Sequence, residues 1–92
     1  MTTTDQVLEE RGSVYGDFFE GIELEANLLE LIKERHQKHH GEPLHPIHAT
    51  YITKILMKLS RLAVSPDHVD SWTDIAGYAR LVELHLKEIE NA

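Results

Sequence analysis

Between Lys54 and Leu81 the chain reads KILMKLSRLAVSPDHVDSWTDIAGYARL, two helical runs separated only by the turn Ser65-Pro66-Asp67. So short a connection lays two helices antiparallel and side by side. On the first run Lys54, Lys58 and Arg61 are spaced by four and three; on the second Asp70, Asp74 and Tyr78 are each four apart. Residues at those spacings share one helix face. A basic stripe therefore meets an acidic one near the seam. The juxtaposition is either an internal ion-pair network or the wall of a site for a phosphate-bearing ligand and a metal.

Gly and Pro punctuate the remainder into a single helical domain, 1–92. The arm 1–16 is expected to hold a short helix over 5–11, stopped by Gly12-Ser13, before a joint at Tyr15-Gly16-Asp17. Asp17 is a suitable N-cap for a long helix within 17–40. Its apolar residues, Phe18 to Ile32, spread over more than half of the circumference, more than one packed neighbour covers. Gly41 stops that helix, and Glu42-Pro43-Leu44-His45-Pro46 connects to a helix over 47–63, with Ile52, Ile55, Leu56, Leu59, Leu62 and Ala63 as its core stripe. The last helix, 70–90, turns Trp72, Ile75, Ala79, Val82, Leu86 and Ile89 inward. No segment alternates in period two, so the expected fold is all-α: three main helices and a short leading one. Three helices make an incomplete bundle, and a homo-oligomer is the economical way to complete it.

Charge and composition exclude several classes of function. A net charge of −7 argues against binding extended nucleic acid, which needs a basic face, but leaves room for a nucleotide in a local cationic pocket. The chain has no Cys, so thiolate metal sites and a Cys nucleophile are ruled out. No apolar run approaches the roughly 18 residues that mark a membrane span, and MTTTDQVLEE lacks the basic-then-apolar order of a secretion signal. The expectation is a cytoplasmic protein with no membrane partner. No P-loop, Gly-x-Gly-x-x-Gly or Ser/His/Asp order occurs.

At 100° per residue, Asp74 and Tyr78 border the Ile75/Ala79/Val82 stripe and Asp70 lies further out on the same side. Lys58 and Tyr51 border the preceding helix's core likewise, with Lys54 and Arg61 further out. Charges at a core border must be paired. The structural reading is a Lys58–Asp74 ion pair, Arg61 reaching Asp70, and Asp70 acting as an N-cap. The functional reading adds acids of the long helix. Asp17, Glu20, Glu23, Glu30 and Glu34 fall at spacings of three, four and seven, and carboxylates from two facing helices can hold Mg²⁺ against substrate phosphates. Asp70, Asp74, Glu20 and Glu23 are then the metal ligands, and Lys54, Lys58 or Arg61 neutralises phosphate charge. For Glu30 and Glu34 a solvated face is the simpler reading.

The string Lys58-x-x-Arg61, then Asp70-x-x-x-Asp74-Ile75-Ala76-Gly77-Tyr78-Ala79, preceded by Tyr15-Gly16-Asp17, resembles a family of small helical proteins of unknown function from tailed phages and prophages. The resemblance runs from about Arg11 to Leu84 and implies an infected bacterial host as the setting. More remotely, the chain is similar to all-α nucleoside triphosphate pyrophosphohydrolases of the MazG and dimeric dUTPase type. That similarity implies bundles assembled from paired chains, and Mg²⁺ held by Glu-Glu-x-x-Glu on one helix and Glu-x-x-Asp on the next. Here Asp74 matches the final Asp, Ser71 stands where the preceding Glu is expected, and Glu20-x-x-Glu23 follows Phe19 rather than an acid. Two activities follow as expectations. One is Mg²⁺-dependent nucleotide pyrophosphohydrolysis. The other is an anti-defence role without catalysis, in which a nucleotide signal or a host protein is sequestered.

Seven His are present, and five of them, His36, His39, His40, His45 and His48, fall within thirteen positions. His36 and His40 have the spacing of a metal clamp, but with no flanking acid motif such as His-Glu-x-x-His the simpler reading is a solvated helix end favoured by the C-terminal dipole. Trp72 and Tyr15 are read first as packing residues and second as ligand contacts, Trp72 stacking on a base and Tyr15 beside the glycine joint.

Overall fold

The computed structural model describes residues 3–91 as four helices: α1 (Thr4–Tyr15), α2 (Phe18–His40), α3 (Pro46–Val64) and α4 (Val69–Asn91). No strand occurs among the described residues. The three long helices begin and end within one residue of the expected limits.

Each boundary has a local cause. The Thr3 hydroxyl accepts the Gln6 N–H while the Gln6 side chain accepts the Thr3 N–H, a capping box that starts α1. The Asp17 carboxylate accepts the Glu20 N–H at 3.0 Å and starts α2. Gly41, at φ 73°, ends α2 with its N–H on the Gln37 carbonyl. His45 Nδ1 accepts the Ile47 N–H at 3.1 Å, and Pro46 occupies the first turn of α3 with its φ already set. At the start of α4, the Ser71 N–H donates to the His68 carbonyl, and the His68 ring and Ser71 hydroxyl are 2.8 Å apart.

Two expected boundaries fail. The first helix does not stop at Gly12-Ser13. It passes through both, because a single helical Gly costs only about 1 kcal/mol and the Ser13 hydroxyl donates to the Glu10 carbonyl without leaving the helix. The stop comes at Gly16, with φ 80° and ψ −166°, a region open essentially to Gly alone. Asp70 is not an N-cap, since α4 already begins at Val69; it is an acid in the first turn, where the helix dipole favours it.

The packing is a single layer. α3 lies between α2 and α4 and also carries α1, whereas α2 and α4 form no packed seam with each other among the described residues. Where α2 crosses α3, a Cβ on Gly21 would stand 3.0 Å from Ser60 Oγ, and that hydroxyl donates to the Gly21 carbonyl at 3.3 Å. Near Gly16, a Cβ would come within 2.7 Å of Val64 Cγ2.

A single layer cannot bury what the periodicity marks as core. Leu56 and Leu62 of α3 are buried, while Ile52, Ile55, Ile75 and Val82 are half-buried. Leu59, Ala63, Trp72, Ala79, Leu86 and Ile89, expected to face inward, are exposed in the single chain, because nothing lies over the layer. Phe18 and Phe19 are 71% and 74% exposed. The radius of gyration is 16.0 Å, where a compact chain of this length has about 12 Å.

Gly16→Ala is expected to cost about 1–3 kcal/mol, lowering the thermal midpoint by roughly 4–8 °C for each kcal/mol. Gly12→Ala, at a helical position with nothing within 4 Å of the added Cβ, should instead raise the midpoint slightly. Calorimetry on the two variants checks the pair of signs.

Candidate functional site

The turn between α3 and α4 carries the densest side-chain network in the described chain. α1 delivers Tyr15 to it, α3 delivers Lys58 and Arg61, and α4 delivers Ser71, Trp72 and Asp74. Lys58 Nζ and Asp74 Oδ2 are 2.9 Å apart, with the Lys58 side chain 11% exposed and that of Asp74 49%. This is the expected ion pair. Its geometry also explains why Lys58 tolerates burial: the ammonium has a charged acceptor at hydrogen-bond distance.

Arg61 does not reach Asp70. Its guanidinium lies over the Tyr15 ring, 4.4 Å from the centroid, a cation–π contact worth about 0.5–2 kcal/mol. Tyr15 in turn meets the His68 ring edge-on at 5.5 Å. The Ser65 hydroxyl donates to the Val14 carbonyl, tying the α3–α4 turn to the end of α1. The Trp72 indole N–H donates to the Pro66 carbonyl at 2.8 Å, yet the residue is 52% exposed. A hydrogen bond thus fixes the indole at the edge of the turn with much of the residue open to solvent.

The predicted ligand residues separate into two sets. Tyr15, Lys58, Arg61 and Trp72 gather around the turn, where Lys58 pairs with Asp74, Arg61 lies on the Tyr15 ring and the Trp72 indole N–H donates to the backbone. Lys54 is exposed, one turn before Lys58; Tyr78 is half-buried, one turn after Asp74. Glu20 and Glu23 are exposed on α2, and α3 stands between that helix and α4 with its Asp70 and Asp74. Within one chain the four carboxylates do not converge, and among the described residues no group of three or more His, Asp or Glu is placed to hold a metal ion. Asp17, a further acid of this stripe, is the α2 N-cap.

The deepest polar residue is one the sequence presented only as a missing Glu. Ser71 is 1% exposed, with its hydroxyl 2.8 Å from His68 Nδ1. Ser60 and Gly21 form a close α2–α3 contact, signalled in the sequence only by their small size. No buried side-chain polar atom is left without a partner among the described residues.

The open clefts lie at the other end of the layer. One, about 690 Å³, includes Ile32, Arg35, His36, Lys38, His39 and His40 in its lining; the next, about 520 Å³, runs between α3 and α4 past Tyr51, Ile55, Val82 and Leu86. His36 and His40 stack with centroids 4.5 Å apart at the end of α2, where cationic side chains suit the helix dipole. His45 serves as a helix cap. No predicted phosphate ligand lines either cleft.

Residues 1–85 match a domain of unknown function (DUF6378), and the chain belongs to that family. No curated protein and no solved structure matches it. No helix among the described residues is long and apolar enough to cross a membrane.

If the pair at the seam is structural, Asp74→Ala strands a nearly buried ammonium and should cost roughly 1–3 kcal/mol. Lys58→Met combined with Asp74→Leu should recover most of that loss. Urea unfolding of the two variants decides the point: equal midpoints would show that the pair contributes nothing.

Proposed function

We propose that this DUF6378 member is a phage-type helical protein that works as a homo-oligomer by holding a ligand of the nucleotide class rather than by cleaving it. The observation that supports this reading most is the commitment of the charged residues. Lys58 is paired with Asp74, and Arg61 is stacked on Tyr15. Two of the three cations that hydrolysis would direct at a phosphate thus have partners in the folded chain, and the third, Lys54, is exposed. The carboxylates that would hold Mg²⁺ are divided between α2 and α4, so Mg²⁺ does not fit the donor set of a single chain, and no catalytic step is assigned to it. The MazG-like similarity then describes a way of laying out helices, and an anti-defence role by sequestration is the function consistent with that layout. Lys54 and the anchored indole of Trp72 remain open to a ligand, supplying a charge and a stacking surface.

A thermal-shift series with nucleoside triphosphates and cyclic mono- and dinucleotides, each with and without Mg²⁺, tests the proposal. A ligand of the native state raises the midpoint with the logarithm of its concentration over Kd. The expected outcome is a metal-independent rise with at least one nucleotide, reduced at least tenfold in affinity by Trp72→Ala combined with Lys54→Ala, and no pyrophosphate released. Mg²⁺-dependent pyrophosphate release would restore the hydrolytic reading. A flat response to every nucleotide would leave a host protein as the partner.

A further inference from the structure

Two grooves meet on one side of α3, and Ile52 lines both. The groove toward α2 is edged by Arg35, Lys38 and three imidazoles; the groove toward α4 is edged by Glu83 and Glu90, with Lys87 between them and Glu83 in solvent-exposed pairs with Lys87 and Arg80 of its own helix. α2 and α4 each pack on α3, form no packed seam with each other among the described residues, and both run antiparallel to α3, so their C-terminal ends lie together beside the start of α3. One surface thus presents a basic edge, an apolar floor and an acidic edge, in that order across the layer.

We infer that this face is covered by a second copy of the chain, related by a twofold axis running along α3. Such an axis exchanges left and right across the layer while keeping the same end of the molecule uppermost. It lays α2 of each copy on α4 of the other, with both C-terminal ends together. The Arg35/Lys38 edge of one chain then meets the Glu83/Glu90 edge of its partner, twice over, and the Ile52 floor meets its own image. Self-complementarity of this kind is what a twofold interface requires. A twofold axis across the helices would instead set α2 against α2 and α4 against α4, stacking the acidic edge on the helix that carries it.

The exposed area supports the same occupant. The chain of 10.6 kDa exposes 7366 Å², whereas a compact monomer of that mass exposes roughly 5,500 Å². The excess, roughly 1,900 Å², is more than the about 800 Å² per partner that a stable interface of standard size buries. Leu59 and Leu86, exposed in one chain though marked as core by their periodicity, lie on α3 and α4 where the second copy would cover them. The inference rests on the oligomeric part of the proposed function and is independent of its ligand. A failed nucleotide screen leaves it standing, and a monomeric mass overturns it whatever the screen shows.

The test is a charge exchange read by light-scattering mass. Wild type is expected at twice 10.6 kDa. Arg35→Glu/Lys38→Glu sets acid against acid at both contacts, and Glu83→Lys/Glu90→Lys sets base against base, so each variant alone should have the mass of one chain. All four positions are exposed, and circular dichroism should show wild-type helix content in both variants. Mixed in equal amounts, the two variants complement at both contacts, and the mass should double. A monomeric wild type, variants that pair with themselves as well as wild type does, or a mixture that stays monomeric would each overturn the inference. A readout free of charge changes uses His48→Cys, at the start of α3, in a chain that has no other Cys. Parallel α3 helices bring these thiols together, and mild oxidation should give a covalent dimer; none would form if the copies ran antiparallel.

Discussion

Among the described residues α3 alone packs against all three other helices, and the rest of the molecule follows from that constraint. A helix between two others, with no fourth across the layer, can bury a narrow strip of itself on each side. Leu56 and Leu62 occupy those strips. The apolar residues of α2 and α4 that point away from α3 have nothing to pack on, so a sequence with an ample apolar fraction folds into a chain with few buried apolar side chains. Burial at about 25 cal/mol per Å² cannot be collected from a face left in water. The open layer is therefore a reason for association, and the small size of the chain reinforces it.

Polar and steric devices hold the layer where apolar burial is thin. Gly21 and Ser60 let α2 approach α3 closely, and their hydrogen bond satisfies a hydroxyl that the contact buries. At the turn end, the Lys58–Asp74 pair locks α3 to α4, while Arg61 on Tyr15 and Ser65 on the Val14 carbonyl fasten α1. Of the motif Tyr15-Gly16-Asp17, Lys58-x-x-Arg61 and Asp70-x-x-x-Asp74-Ile75-Ala76-Gly77-Tyr78-Ala79, six residues (Tyr15, Gly16, Asp17, Lys58, Arg61 and Asp74) act as such fasteners. Gly16 turns the chain, Asp17 caps α2, and the others bond across helices. A motif with the look of a catalytic constellation thus has a sufficient account in the joining of helices.

The clefts and the charged motif occupy opposite ends of the layer, which separates the questions of ligand and assembly. Near the turn, Lys58 is paired with Asp74 and Arg61 lies on Tyr15, while Val69, Asp70 and part of Trp72 face outward. At the other end, grooves remain open beside oppositely charged edges. Binding of a small ligand and pairing of chains would therefore draw on different residues and respond to different substitutions.

Local signals were enough to place the helices. Asp17, Gly41 and Pro46 act through hydrogen bonds and dihedral limits within a few residues, so α2 and α3 were legible from their caps, and the Lys58–Asp74 pair followed from spacing across a short turn. The end of α1 was not legible: Gly12 and Gly16 look alike in sequence, and only the backbone geometry beside Val64 makes one a stop. Arg61 reaching for Asp70 was a reasonable expectation that neglected α1, whose Tyr15 competes for the guanidinium from a helix distant in sequence. The side-by-side order α2–α3–α4 was likewise invisible, because periodicity states which side chains seek burial and not what they will find opposite. The sequence by itself determined the helices, the ends of the three long ones to within a residue, and one ion pair, since these are local interactions. Tertiary structure alone decided that Glu20 and Glu23 stay apart from Asp70 and Asp74, and that one side of α3 stays open, because both depend on which helix lies between which others.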